Sequence, residues 1–211
     1  MSCKKRRVLY NENESDCKTE KEMSKRKGER DVAAADLTKQ AIVKGTKELV
    51  EQMPFERISV TEIAKRCGIN RNTFYYYFRD KYDVMDLIFQ TDLLPHLLPL
   101  MNQDDWPKSV VMLCRYMRKE KNFYSNALAD LNPRALRQIL VNHYRHWLME
   151  IGQESYERTD IQGEEREFVA RFYAHGIIGM VCDWVDTGMK KDPETATRVI
   201  HLSAKEHFFA K

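Results

Sequence analysis

Glycine and proline are scarce, 8 and 6 in a chain of 211 residues, and no stretch alternates β-branched residues with polar ones. A β-sandwich or barrel needs both the turns and the alternation, so an all-helical chain is expected. Long hydrophobic runs are missing too. The most apolar windows, 93–101 and 177–185, are too short to span a bilayer and are interrupted by His96 with two prolines or by Asp183. The basic residues Lys4 to Arg7 are followed by no apolar segment, which argues against a signal peptide and for a cytoplasmic protein without a membrane partner. The five cysteines, Cys3, Cys17, Cys67, Cys114 and Cys182, are odd in number, widely spaced and without a CxxC pair, which fits reduced thiols. No Gly-rich phosphate loop, nucleophile elbow or metal-binding motif occurs, so no enzyme, cofactor or metal is expected. His143 and His146, with His175 or Cys182, are the nearest approach to a metal set, and no carboxylate-bearing motif accompanies them.

What is present is a hydrophobic content of 43%, enough for a sizeable core at a length where one small domain beside a larger one is expected. Charge is unevenly spread. Residues 1–35 hold 10 basic against 7 acidic side chains, 36–82 hold 9 against 6, and 83–211 hold 16 against 19. A positive N-terminal part beside an acidic remainder suits a protein that presents one end to a polyanion.

Residues 1–33 are dense in charge and poor in apolar periodicity, and read as a disordered tail that either follows a DNA backbone or is a solvated extension. From Asp36 a helix gathers Leu37, Ala41, Ile42, Gly45, Leu49 and Val50 on one side, and Phe55 and Ile58 follow Pro54 into the core. Ser59 with Glu62 is a capping-box pattern ahead of a short helix to Cys67, which Gly68 ends in a left-handed conformation. Asn70 caps a helix over 71–78, and Asp80 caps a longer one from Lys81 to about Leu93. Further helices are expected over 107–119, 122–130, 133–151, 164–188 and 193–208, with Pro107, Pro133 and Pro193 at helix starts. The expected architecture is a three-helix helix-turn-helix domain over 34–95 and a larger helical bundle over 96–211, roughly nine helices in all.

Two short helices joined by a Gly-containing turn make a helix-turn-helix, whose second helix lies in a DNA major groove. Here that helix reads Arg71-Asn72-Thr73-Phe74-Tyr75-Tyr76-Tyr77-Phe78. Phe74 and Phe78, four apart, are natural core anchors, which leaves Arg71, Asn72, Thr73, Tyr75 and Tyr76 facing outward. A guanidinium, an amide, a hydroxyl and two phenols suit base edges and phosphate oxygens. The alternative for three consecutive tyrosines is a packed aromatic cluster, but residues 75–77 point in three directions around a helix.

The run from Ser59 to Lys81 resembles the signature of the TetR/AcrR family: a Ser/Thr start, Ile63-Ala64, Gly68 in the turn, Thr73-Phe74-Tyr75-Tyr76-Tyr77-Phe78, and Lys81 opening the next helix. It departs from the commonest pattern at Tyr77, where His is frequent, and at Cys67, where Ala is frequent. The resemblance implies a DNA-binding transcription regulator in which Arg71 and Asn72 read bases and Tyr75 and Tyr76 touch bases or backbone. It implies that Thr73, Tyr77 and Lys81 hold phosphates. Ser59 or Thr61, in the first turn of its helix, places backbone N–H groups toward a phosphate.

One such domain covers half an operator, so a homodimer on a palindromic double-stranded site is expected, with recognition helices roughly 34–36 Å apart. The segment 164–189 is apolar around its circumference and must bury two sides, one of them against a partner or, alternatively, both in a monomeric core. With residues 193–208 it resembles the family's paired final helices, which makes Phe168, Phe172, Ile177, Met180, Val181, Trp184, Val199 and Phe208 the expected dimer contacts. Ala170, Ala174, Gly176 and Gly179 allow close approach. The family often encloses an effector among its C-terminal helices, and Tyr116, Phe123, Tyr124, His143, Trp147, Phe172 and Tyr173 are the candidate lining, although aromatics at helical spacing also build plain cores. The C-terminal part further resembles regulators of dihydroxyacetone kinase operons through the Gly179, Trp184 and Gly188 spacing. A small-molecule or protein effector, with the helix from Lys81 as lever, is the expected control, as repressor or activator. An enzyme, or a helical adaptor without DNA affinity, is the alternative.

Overall fold

The computed structural model describes residues 35–102, 105–132, 134–151 and 163–194. The expected tail over 1–33 lies outside the described residues, as does the helix expected over 193–208 except for Pro193 and Glu194. The described residues are helical with no strand among them, so the all-α expectation holds. The chain divides into two units, one ending at Ala41 and one running from Ile42. In the first, residues 35–41 form one end of a helix, α1 (35–50), and Leu37 is exposed.

In the second unit α1 buries Ile42, Thr46 and Val50, one turn apart. Gly45 on the same helix is a point of close approach. A Cβ there would lie 2.5 Å from Cys67 Sγ and 3.2 Å from Arg66 Cγ, so only glycine lets α1 meet the end of α2 (Val60–Arg66). A 3-10 turn, Phe55–Arg57, sinks Phe55 into the core against the edge of Tyr82, with ring centroids 5.5 Å apart. Gly68, at φ +68°, closes α2. Its N–H reaches Lys65 O and the N–H of Ile69 reaches Ala64 O, the paired bonds of a Schellman end. Next comes α3 (Arg71–Tyr77), then α4 (Lys81–Ile88).

The helix does not stop near Leu93. It widens into a π turn, Phe89–Leu93, with the Leu94 N–H bonded five residues back to Phe89 O, and continues as α5 (Leu94–Leu97) and a 3-10 turn to Leu100. Pro95 lacks an N–H and its ring would press on the carbonyl four residues before it, and the wide turn relieves that clash. Thr91 Oγ1 donates to Leu87 O at 3.0 Å, which bends the helix at the same place.

Four helices complete the described chain: α6 (Trp106–Lys119), α7 (Lys121–Leu128), α8 (Leu136–Ile151) and α9 (Glu164–Asp186). Their buried stripes, such as Val110, Leu113 and Met117 on α6 or Leu140, Tyr144 and Leu148 on α8, join one core that runs from Ile42 to Met189. The longest seam is α8 against α9. α8 starts at Leu136 rather than at 133, because Asp130 and Asn132 spend their carboxylate and amide oxygens on the N–H groups of Asn132 and Arg134 and hold those residues in a turn. Tyr144 is fully buried yet satisfied: Ser109 Oγ donates to Trp106 O, leaving the tyrosine hydroxyl to donate to Ser109 at 3.1 Å. Among the described residues no helix is long and apolar enough to cross a membrane.

Candidate nucleic-acid interface

Each end of the helix-turn-helix is set by a local cap. Ser59 N–H and Oγ both donate to Glu62 Oε2 at 2.7 Å, and the Glu62 N–H returns a bond to Ser59 Oγ at 3.2 Å. These bonds hold the Glu62 carboxyl below its ordinary range. Asn70 Oδ1 accepts the Thr73 N–H at 2.8 Å and opens α3, and Asp80 Oδ1 accepts the N–H groups of Tyr82 and Asp83 and opens α4. α3 is thereby fixed at both ends, and its two phenylalanines sit in the core: Phe74 is fully buried and Phe78 is 8% exposed.

The rest of α3 faces solvent. Arg71 and Asn72 are exposed, Tyr75 is 46% exposed and Tyr76 81%, the largest value among the exposed apolar and aromatic side chains of the described residues. Tyr77 is half-buried with its ring edge-on to Tyr76 at 4.9 Å. The three tyrosines therefore do not form a sealed cluster. Arg71 is ordered along the helix: its Nη2 donates to Tyr75 Oη at 3.2 Å and its guanidinium lies 5.7 Å from that ring. The surface so formed offers a fork of N–H donors, an amide and phenolic hydroxyls around flat rings, a set that matches base edges and a sugar-phosphate backbone.

Three expected phosphate contacts are placed differently from their simplest reading. The Ser59 backbone N–H, like its Oγ, is consumed by Glu62 Oε2 in the capping box, and Thr73 Oγ1 donates to Asn70 Oδ1 at 3.1 Å. Lys81 turns inward, where Nζ donates to Phe55 O at 2.7 Å and Glu56 O at 2.8 Å and sits 4.7 Å over the Phe55 ring. Burial lowers its pKa against the pull of Asp130 and the nearby carboxylates. Lys81 is thus a clamp between α4 and the turn after α1, with one of its three N–H donors left over. Thr61 is exposed in the first turn of α2.

Sequence reasoning missed the cations and anions around this site. Arg79, just past α3, is held by Asp83 through Nε at 3.0 Å, Nη2 at 3.0 Å and its own N–H at 2.9 Å. Arg134, from the connection between α7 and α8, pairs with Asp80 and with Asp83, the latter at 2.6 Å. Lys47 on α1 joins Asp92 at 2.7 Å and Glu120 at 3.3 Å. Burial opposes its charge, but the Asp92 hydrogen bond and the two carboxylates outweigh it and raise the pKa.

The expected effector lining falls into two groups. Tyr116 packs between His96 and Tyr124, with centroids at 5.0 and 6.0 Å, and Phe123 meets Tyr124 edge-on at 5.0 Å. His143 stacks between Phe89, at 4.4 Å, and Trp147, at 5.8 Å, and burial lowers its pKa. Tyr173 is half-buried, whereas Phe172 is 67% exposed and belongs to neither group.

On α9 the expected dimer contacts divide. Phe168, Phe172 and Met180 are 70%, 67% and 44% exposed and share one side with Gly176 and Gly179, where an added Cβ would meet nothing within 4 Å. Ile177 and Val181 turn the other way into the chain's own core with Ala170 and Ala174, so they do not lie on the open side. Trp184 is tied down by its own chain: its indole N–H donates to Lys191 O at 2.8 Å and the Arg118 guanidinium covers its ring at 5.1 Å. Val199 and Phe208 lie outside the described residues.

Comparison with known proteins agrees with this layout. Residues 42–88 match the family pattern described as "Bacterial regulatory proteins, tetR family", and residues 104–205 match "Transcriptional regulator C-terminal region" of the same family. The chain is 23% identical over 155 residues to the HTH-type dhaKLM operon transcriptional activator DhaS of Lactococcus lactis subsp. lactis (strain IL1403), covering 72% of this chain and 81% of that protein. Among solved structures, the dihydroxyacetone kinase operon activator DhaS superposes with a TM-score of 0.54 at 21% identity, covering 81% of this chain and 96% of that one. The Thermus thermophilus TetR-family repressor FadR, solved with lauroyl-CoA, gives a TM-score of 0.57 at 19% identity over 82% of this chain and 95% of that one. With both parts of the chain matched and the polar side of α3 exposed, the protein is a DNA-binding, non-enzymatic transcriptional regulator of the TetR family.

Proposed function

We propose that the protein is a homodimeric, effector-controlled regulator that sets one α3 into each of two successive major grooves of a palindromic operator. We put the domain boundary at 95/96, a choice supported by the gap between the family matches, which end at 88 and begin at 104. The observation that carries the reading is the division of α3, with Phe74 and Phe78 buried and Arg71, Asn72, Tyr75 and Tyr76 bare. Arg71 and Asn72 read base edges, Tyr76 and Tyr75 contact bases or backbone, and Thr61, Tyr77 and the remaining N–H of Lys81 reach phosphates. The open apolar side of α9 supports the dimer, since Phe168, Phe172 and Met180 left in water are a poor end state and the glycines beside them admit a second helix. Working on chromosomal DNA places the protein in the cytoplasm.

The effector acts by preferring one spacing of the two reading heads over the other. The aromatic groups around Tyr116 and Tyr124 and around His143 and Trp147 support an effector site within the C-terminal helices. Repression is the reading we adopt for the free dimer. Selection of bound sequences from a random DNA pool tests the proposal: an inverted repeat with half-sites one helical turn apart is expected, and enrichment of no sequence at low salt would overturn it.

A further inference from the structure

The connection between α7 and α8 lies outside the segment that matches the family's DNA-binding part, yet it grips the N-terminus of α4 from two sides. On one side, Tyr82 Oη donates to Asp130 Oδ2 at 3.2 Å. Asp130 is 2% exposed, and its other oxygen accepts the Asn132 N–H at 2.9 Å, so the connection is folded around this carboxylate. On the other side, the Arg134 guanidinium takes Asp80 Oδ2 with Nη1 and Asp83 Oδ1 with Nη2, and lies 5.9 Å from the Tyr82 ring.

Neither carboxylate is an idle surface group. Asp80 Oδ1 caps α4, and Asp83 holds Arg79 by its backbone N–H and by two side-chain nitrogens. Arg79 directly follows Phe78, the C-cap of α3. A planar guanidinium can satisfy both of these carboxylates at once with fixed geometry. We propose that Arg134 is a positioning residue for DNA recognition: by bridging Asp80 and Asp83 it locks the end of the reading helix to the α7–α8 connection, and so lets the C-terminal helices set the pose of α3. This deepens the DNA-binding reading and rests on it.

Arg134 touches no groove in this scheme, so its loss must weaken binding without changing the count of phosphates neutralised. With the selected duplex, Arg134→Ala is expected to lower affinity about ten-fold with an unchanged salt slope, and Arg134→Lys to recover only part of it, because an ammonium cannot bridge both carboxylates in a plane. Asp83→Asn should cost a similar factor, and the double variant should be no worse than either single one. A salt slope reduced by about one ion would make Arg134 a direct phosphate contact, and strictly additive losses would show that the pair does not act together; either result overturns the proposal. Affinity within two-fold of the parent would overturn it as well. Amide hydrogen exchange of the free protein separates this idea from the DNA reading. Exchange over residues 71–83 should quicken about ten-fold in Arg134→Ala even if no duplex is ever bound, and unchanged exchange there would sink the positioning role.

Discussion

The helices α3 and α9 both leave one side bare, and the chemistry of the two sides is opposite. α3 is seven residues long, anchors itself with Phe74 at one point and Phe78 at its end, and shows water an arginine, an asparagine and two phenols. α9 is 23 residues long, buries a full stripe from Ala170 to Val185, and shows water Phe168, Phe172, Met180 and two glycines among charged and polar neighbours such as Arg171, His175 and Asp183. A polar, hydrogen-bonding side is tolerable alone and gains from a polyanion. An apolar side with small residues gains only from another apolar surface. The difference supports the proposed assignment of α3 to a duplex and of α9 to a second subunit.

The sharpest way to break this comparison is to make the α9 side resemble α3. Phe172→Glu should convert the proposed dimer to a monomer by sedimentation and reduce operator affinity about a hundred-fold while circular dichroism stays unchanged, since an aromatic hot spot at an interface carries about 2 kcal/mol or more. A dimer that survives this change would remove α9 from the interface. Next in size, Arg71→Ala should cost about 1–3 kcal/mol of operator binding, concentrated at one base position, and leave the dimer intact. Uniform weakening over all sequences would instead assign Arg71 to the backbone. Gly45→Ala tests whether α3 depends on the packing behind it: the new methyl meets Cys67 Sγ, so urea unfolding should show a loss of about 1–3 kcal/mol, which Cys67→Ala largely restores. The smallest stability effect is expected of Ser59→Ala, about 0.5–2 kcal/mol by the same measurement, through loss of the capping box.

A pH scan adds a check on the joint beneath α3. Burial first, then the charge and hydrogen bond of Asp130, push the Tyr82 phenol from 10.0 up to about 12. A folded-state pKa above the unfolded one favours the protonated form, so its contribution is intact below about pH 10 and is lost as pH rises toward 12. Tyr82→Phe should flatten that part of the stability curve.

Much of this was legible in the sequence where the cause is local. Ser59 with Glu62, Gly68, Asn70 and Asp80 each set a helix end through atoms within four residues, and the four-residue spacing of Phe74 and Phe78 defined the buried side of α3. What escaped depends on partners distant in the chain or on competition for one donor. Lys81 turns inward to carbonyls 25 and 26 residues away, and Arg134 reaches Asp80 across 54 positions. Thr73 spends its proton on its own cap, which a motif match does not reveal. On α9 the all-round apolar pattern announced two covered sides, but Ile177 and Val181 read the same as Phe168 and Phe172, and only the packing of α8 decided which went inward. The helix past Leu93 was missed because prolines read as stops, whereas a π turn absorbs Pro95.

The most direct test of the central claim is tyrosine-selective chemical modification of the full chain, read by peptide mass spectrometry, with and without saturating selected duplex. Buried Tyr144 and Tyr124 serve as internal references. Of the described tyrosines, Tyr76 should react fastest in the free protein and be protected by the duplex, with Tyr75 following it to a lesser degree. Equal modification of Tyr76 in both samples, while the duplex is demonstrably bound, would contradict the assignment of α3 as the reading surface.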